Sequence, residues 1–333
     1  MVKRYQMVKW KKHQRHIQLV ALKKVRKRAK AKGLYSQKAK RINRNANPTY
    51  VKAPEVFSLL RNTEEMLKFF DKLHGHALRK EAVKLDLSWV NTITYDAILY
   101  TLSVIEYFDA KYHPFVIVGN QPTDPACAKV FNESGFYKFV KTRVLTQPNI
   151  DVLSIEAGEI NDGEIAAKVK KFAEDHLKAS ENQSLKAQNL YETLIECMGN
   201  TVSHAYSFND KRLKSKWWII CYFDQTDQKV HFTFLDNGLG IPSTVRRKWT
   251  ELLSPDSSDG KVIISALKGD FRRTETNQPH RGLGLPEIYN NQNEKQIEDL
   301  IIISNRAFVD VGAVESTSLE NKFHGTLLSW SFR

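Results

Sequence analysis

Three short segments hold residues whose types and spacing can do chemistry. The first, ECMGNTVSHAY, runs from Glu196 to Tyr206. Glu196, Asn200 and His204 stand four residues apart, which on a helix places them on one face, one turn above the next. Leu194, Ile195, Met198 and Val202 flank that stripe. Polar side chains set among apolar ones are costly to bury without partners. A nucleotide–metal site supplies partners. An Asn oxygen is a hard ligand suited to Mg2+, and a carboxylate one turn earlier can orient or deprotonate an attacking water or hydroxyl. Taken alone, the stripe fits equally a solvated helix surface or a core histidine with its hydrogen bonds met.

The second segment is DNGLGI, Asp236 to Ile241. It closes a run with strand character, so Asp236 offers an acceptor at a fixed place, and Gly238 and Gly240 let the backbone turn tightly beside it. The third is RGLGL, Arg281 to Leu285. Gly282 and Gly284 open a helical pattern. The free N–H groups of a helix start attract phosphate, and glycine allows close approach. Arg281 adds a fixed positive charge. Singly, these read equally well as a strand-ending turn and a loop-to-helix junction.

Together the three segments resemble the N box and the two glycine boxes of the GHKL superfamily, which includes DNA gyrase, MutL, histidine kinases and anti-sigma-factor serine kinases. Order, helix and strand context, and spacing agree: Asn200 to Asp236 is 36 residues, and Asp236 to Gly282 is 46. The resemblance covers residues 160–333 and implies ATP and Mg2+ as cofactors. It implies Glu196 as general base, Asn200 as metal holder and Asp236 as the adenine contact. His204, Gly238, Gly240, Ile241, Arg281, Gly282, Leu283, Gly284 and Leu285 would complete the nucleotide site. Thr326, in HGTLLSW, resembles the superfamily's late Gly-Thr that supports the adenine-binding Asp. The His after the N box is closest to the anti-sigma-factor kinases. No helical hairpin with a phosphoacceptor His is evident, which counts against a histidine kinase.

These residues need elements to position them. The apolar periodicity predicts helices over 161–178 and 184–207, strands over 217–224 and 229–236, and a helix over 283–291. Closing strands are expected over 300–304, 308–311 and 326–332. The polar stretch 242–280, broken by Gly260 and Gly269, reads as a lid. Helices on one face of a mixed, mostly antiparallel sheet would make the Bergerat-type α+β sandwich that the resemblance implies.

Upstream, residues 55–145 alternate between helix and strand, which implies a small α/β unit with a partly parallel sheet. Helices are predicted over 57–74, 95–110 and 124–131, the last with Asp124 as N-cap and Pro125 at its first position. Strands are predicted over 82–90, 115–118 and 137–140. The DLSWV strand, the helix after it and the stretch Asn120 to Phe136 resemble a STAS-type domain. Where that family carries a phosphorylated Ser, this chain has ITYDAIL, with Tyr95 and Asp96. Asp96 reads as a solvated helix start. The predicted organisation is therefore a basic arm and linker over 1–54, a STAS-like domain over 55–150 and a GHKL domain over 151–333.

Charge is unevenly spread over the 333 residues. The first 50 hold 17 Lys or Arg and no Asp or Glu, while the rest carries 34 basic against 37 acidic side chains, a net charge of −3. The whole formal excess of +14 belongs to the N-terminus. Residues 1–33 pattern as a basic helix. Such density suits phosphate contacts, so residues 1–48 are expected to bind nucleic acid; an anionic membrane surface is the alternative. The longest apolar run, Trp217 to Phe223, is too short to span a bilayer, and no secretion signal is expected. Scattered cysteines at 127, 197 and 221 show no zinc spacing and fit a reducing cytoplasm. A protein partner is expected, and a homodimer is compatible with the sequence. The rival functions are an anti-sigma-type protein kinase and a non-enzymatic scaffold with structural ATP.

Overall fold

The most apolar run of the chain, WWIICYF, sits at the centre of a five-stranded sheet. Its alternate side chains face opposite sides. Trp217, Ile219 and Cys221 enter one core, and Trp218 and Ile220 enter another. A strand that is apolar at every position is the signature of a sheet covered on both faces. The computed structural model describes residues 48–112, 117–140, 142, 144, 147–177, 181–204, 215–249, 257–271 and 284–333, with no side-chain detail at 181–186, 203 and 204. The expected helix over 1–33 and most of the linker lie outside the described residues.

The central sheet comprises β6 (Val152–Gly158), β7 (Trp217–Asp224), β8 (Lys229–Asp236), β9 (Glu298–Asp310) and β10 (Glu315–Phe332), ordered β6-β7-β8-β10-β9. Every pairing in it is antiparallel, where a mixed sheet was expected. One face is covered by α4 (Gly163–His176), α5 (Glu181–His204), α7 (Asp259–Lys268) and α8 (Gly284–Asn293), which bury Ala166, Val169, Leu190, Leu194, Ile263 and Ile288. Asp162 caps α4 by accepting from the N–H groups of Glu164 (3.0 Å) and Ile165 (3.2 Å). Of this layer, α4, α5 and α8 were predicted and α7 was not.

The opposite face is covered too, by the N-terminal α/β layer. Here β1 (Thr49–Lys52), β3 (Val83–Asp86) and β5 (Ile117–Gly119) form a parallel sheet in the order β1-β3-β5. A parallel two-stranded pair, β2 (Val56–Phe57) and β4 (Thr92–Ile93), lies alongside. Between strands run α1 (Thr63–Leu78), α2 (Tyr95–Tyr112) and α3 (Pro125–Glu133). Tyr100 of α2 stacks on Phe323 of β10, with ring centroids 4.4 Å apart, and Trp218, Leu235 and Leu327 share one core with Phe57, Phe70 and Leu99. The sheet is thus sandwiched between two layers, where a single helix layer was expected. At about 25 cal/mol per Å2, shared apolar burial of this kind is a main source of fold stability. Asp124 caps α3 as predicted, accepting from the N–H of Cys127 at 2.8 Å.

Five local expectations are corrected. Phe57 begins no helix: it pairs in β2, and Asn62 precedes the helix start at Thr63. Residues 137–140 are not a strand. Phe136–Lys138 form a 3-10 turn, because Gly135 takes a φ of +80° and the rings of Phe136 and Tyr137 clamp Phe131 at 4.9 and 5.7 Å. Thr49–Lys52, read as linker, is the edge strand β1. The segment 242–280 is no simple lid. It contains α6 (Ile241–Lys248) and α7, and α7 buries Val262, Ile263, Ala266 and Leu267. Residues 250–256 and 272–280 lie outside the described residues. Finally, the separate strands expected at 300–304 and 308–311 are one strand, β9, bent at Asn305, which takes a φ of +51°. Among the described residues, no helix is long and apolar enough to cross a membrane.

Asp96 also departs from expectation. It is not solvated but buried at 3% exposure, and its Oδ2 accepts from the N–H groups of Leu59 (2.6 Å) and Leu60 (3.3 Å). Beside it the half-buried Tyr95 ring packs against Tyr222 of β7 at 4.8 Å. Neither side chain is placed for a surface phospho-switch. All three cysteines are buried and free.

Candidate functional site

Two of the three motifs meet in space. Glu196 and Asn200 lie on successive turns of α5, and the start of α8 is set against them. A Cβ built on Gly284 would stand 2.7 Å from Glu196 Oε2 and 2.9 Å from Asn200 Nδ2. Only a residue without a side chain lets the helix start approach so closely while both polar groups keep their positions. The two helices are held there by a buried bond from Asn291 Nδ2 to Thr193 Oγ1 at 3.0 Å. The helix start that presents free N–H groups is therefore aimed at a carboxylate and an amide.

Burial raises the Glu196 carboxyl above the ordinary carboxylate range. Glu287, one turn into α8, is raised as well, first by burial and then by the nearby negative charges of Glu196 and Glu192. The site concentrates acids and withdraws water from them, so a bound cation would relieve both effects.

Asp236 terminates β8. Phe232 and Phe234 point into the helix-side core, so the strand's two-residue period carries Asp236 to that same side. It is 8% exposed, and burial pushes its carboxyl up to about 7, against the lowering effect of the Gly238 and Thr326 backbone N–H groups. The Gly238 N–H donates to Asp236 Oδ1 at 2.7 Å. Thr326 is its register partner on β10. Gly325 has a φ of +100°, and a Cβ there would stand 1.9 Å from the Asp236 carbonyl oxygen. The Gly-Thr pair thus braces the Asp236 backbone from behind. Cys197 lies in electrostatic reach of both Glu196 and Asp236, which together with burial raise its thiol.

The rest of DNGLGI is held by residues that the motif reading missed. Gly240 takes a φ of +87°, with Asn305 Nδ2 at 2.5 Å and Ser304 Oγ at 2.8 Å from a would-be Cβ. Ser304 Oγ accepts from the Ile241 N–H at 3.0 Å and reaches the Gly325 carbonyl at 3.0 Å. Asn305 Nδ2 donates to the Leu239 carbonyl at 2.8 Å, and its Oδ1 accepts from the Ser243 N–H (3.0 Å) and hydroxyl (2.7 Å). The signal is a polar Ser-Asn pair in the middle of IIISNRAFV, where Ser304 ends the strand predicted over 300–304 and Asn305 opens the gap before the next. Asn237 Oδ1 is buried and has no partner among the described residues. An orphaned acceptor of this kind costs free energy unless a ligand or water meets it.

Leu285 packs against the helix-side core. His204 ends α5, but its side chain is not described, and Arg281, Gly282 and Leu283 lie outside the described residues. Among the described residues, one other group has metal-ligand character: Asp224, Asp227 and His231 at the β7–β8 turn. Its atoms are engaged locally. Asp224 Oδ1 accepts from the Thr226 N–H and hydroxyl at 2.8 and 2.6 Å, and His231 Nε2 lies 2.8 Å from Asp227 Oδ2. No protein-family model matches the chain, and no curated protein matches it either.

Proposed function

We propose that this protein binds Mg2+–ATP in the manner of the GHKL superfamily, as a slow ATPase or nucleotide switch. Residues 1–48 would engage nucleic acid or a nucleoprotein partner, in a cytoplasmic setting. The observation that carries the reading is the approach of Gly284 to Glu196 and Asn200. Residues about ninety apart in sequence converge on one spot, and two of the expected site's three parts share it. The raised carboxyls, the orphaned Asn237 oxygen and the bracing of Asp236 by Gly325 and Thr326 support the same reading.

In this reading Asn200 holds the metal and Glu196 positions or deprotonates the attacking water. Its raised carboxyl brings the group nearer to neutral pH, where general bases work best. Mg2+ would neutralise phosphate charge. Asp236 accepts from the adenine amino group, and the α8 start faces the phosphates. The N-terminal layer keeps a STAS-like character in its parallel sheet, but its role is to cover the central sheet, since Asp96 is built into the core.

Calorimetry with Mg2+–ATP tests the reading. An ionised Asp236 accepts from an amino group more strongly than a protonated one, and burial pushes its carboxyl up to about 7 in the free protein. Binding should therefore release a proton near neutral pH, and affinity should rise with pH up to about 7 and level off above it. Asp236→Asn should weaken binding by about 1–3 kcal/mol. Equal affinity in the wild type and the variant, with no proton release, removes the adenine assignment. Phosphate release measured beside γ-phosphate transfer separates an ATPase from a protein kinase. Binding without either leaves a scaffold.

A further inference from the structure

Among the described residues, the three-stranded sheet of the N-terminal layer has only one covered face. Val51, Val83 and Leu85 point inward to the core. The alternate positions point outward: Tyr50 and Lys52 on β1, Lys84 and Asp86 on β3, and Val118 on β5. Register places Tyr50 beside Lys84 and Lys84 beside Val118. Trp89 follows the end of β3. Tyr50 is 65% exposed and Trp89 58% exposed. Large aromatic side chains left this open in a folded protein are informative where a lone exposed leucine is not. Each ring carries a cation. Lys52 Nζ lies 4.3 Å from the Trp89 ring centroid, and Lys84 Nζ lies 4.9 Å from that of Tyr50. Asp86 shares the face, but its Oδ1 is taken by the Ser88 N–H and hydroxyl and by Asn120 Nδ2.

We propose that this open sheet face is a binding platform for single-stranded nucleic acid, with bases stacked on Tyr50 and Trp89 and phosphates held by Lys52 and Lys84. An aromatic face accepts any base, and a flanking ammonium swings from ring to phosphate at small cost. Charge complementarity fixes the class of occupant. The 17 basic residues of the first 50 precede Tyr50 in the sequence, so the same chain favours a polyanion. Duplexes hide their base faces, so the platform selects single strands. The inference rests on the nucleic-acid part of the function proposed above and assigns it a second, folded contact.

The test is fluorescence anisotropy with the full-length chain. The probes are labelled oligo-dT, oligo-U and a duplex of matched length, about 16 nucleotides each, titrated across salt. Tyr50→Ala/Trp89→Ala should bind both single strands at least ten-fold more weakly while duplex binding holds within about two-fold. Trp89→Phe should keep single-strand affinity within about three-fold, because a π-face remains. Circular dichroism and thermal melting should match the wild type for both, since the side chains are exposed. A charge-reversed arm, Lys23→Glu/Arg26→Glu/Lys27→Glu, should weaken all probes alike and flatten the salt dependence. Unchanged single-strand affinity in the aromatic double variant, with loss in the arm variant, overturns the platform and leaves the arm as the nucleic-acid element. No binding by the wild type at about 50 mM salt removes both.

Discussion

The two faces of the central sheet hold their buried acids in different company. On the N-terminal side, Asp96 is sunk in the core, and its oxygen receives two backbone N–H groups from the loop before α1, which it joins to α2. On the helix side, Asp236 likewise accepts from backbone N–H groups, and burial raises both carboxyls. The helix side adds Glu196 and Glu287, desolvated with no cationic partner among the described residues, and Asn237, whose acceptor is unmet. Burying a carboxylate without neutralising it is unfavourable. A face that gathers such groups has a reason to do so. A cation and a polar ligand are the simplest.

The comparison can be broken at several points. The largest effect is expected at Glu196. Glu196→Gln keeps the shape of the helix stripe and should retain nucleotide binding while phosphate release falls about 10²–10⁴-fold, equivalent to roughly 3–5 kcal/mol in the barrier. Undiminished turnover in this variant would remove Glu196 from the chemistry.

Next comes the pH response of Asp236. Its carboxyl lies near 7 when folded, against 3.8 in the unfolded chain. The charged form is thus disfavoured by folding. Stability linked to this group is full below about 4, is lost as pH rises, and is gone above about 7, a swing on the order of 4 kcal/mol. Asp236→Asn removes the titration. Denaturant midpoints of the nucleotide-free protein should therefore favour the variant increasingly between pH 4 and 7, even as it loses ATP affinity. A flat difference across that range would mean that Asp236 ionises in the folded protein as readily as in the unfolded chain.

Asp96→Ala should behave in the contrary manner. It strands the Leu59 and Leu60 N–H groups and should cost about 2–3 kcal/mol of stability, with Mg2+–ATP affinity unchanged once the protein is folded. Loss of affinity without loss of stability would reverse the assignment of the two faces. The smallest stability effect belongs to Gly284→Ala. The added methyl meets chiefly the far ends of the Glu196 and Asn200 side chains, with the Glu196 Cβ at 3.3 Å, so the melting temperature should move little, by the equivalent of about 1 kcal/mol or less. Nucleotide affinity should still fall about ten-fold or more, because both groups are displaced. A variant that binds as tightly as the wild type would separate α8 from the site.

Strands β7 and β8 and the Asp124 cap were legible in the sequence to the residue, because strong alternation and turn chemistry act locally. The convergence of Glu196 and Asn200 with Gly284 was legible only through motif order, since no local rule brings residues that far apart together. The second cover of the sheet was missed although WWIICYF announced it: apolar residues at every position require two cores. Asn305 was missed because a polar pair inside a strand reads as an interruption. Its function is visible only once DNGLGI is folded against it. The helix α7 was hidden by glycines at its ends, Gly260 and Gly269, the second of which is its left-handed C-cap at a φ of +80°.

The three free cysteines make the layers separately observable in time. Cys127 belongs to the N-terminal layer, Cys221 to the sheet and Cys197 to the helix layer, next to Glu196 in sequence. Burial raises all three thiols, that of Cys127 to about 11, so none reacts until its surroundings open. Pulsed alkylation followed by peptide mass measurement would therefore clock the opening of each layer in the unmodified protein. If Mg2+–ATP slows labelling at Cys197 but leaves Cys127 unchanged, the helix layer breathes independently of its cover. If both slow together, the sheet transmits ligand binding from one side of the molecule to the other.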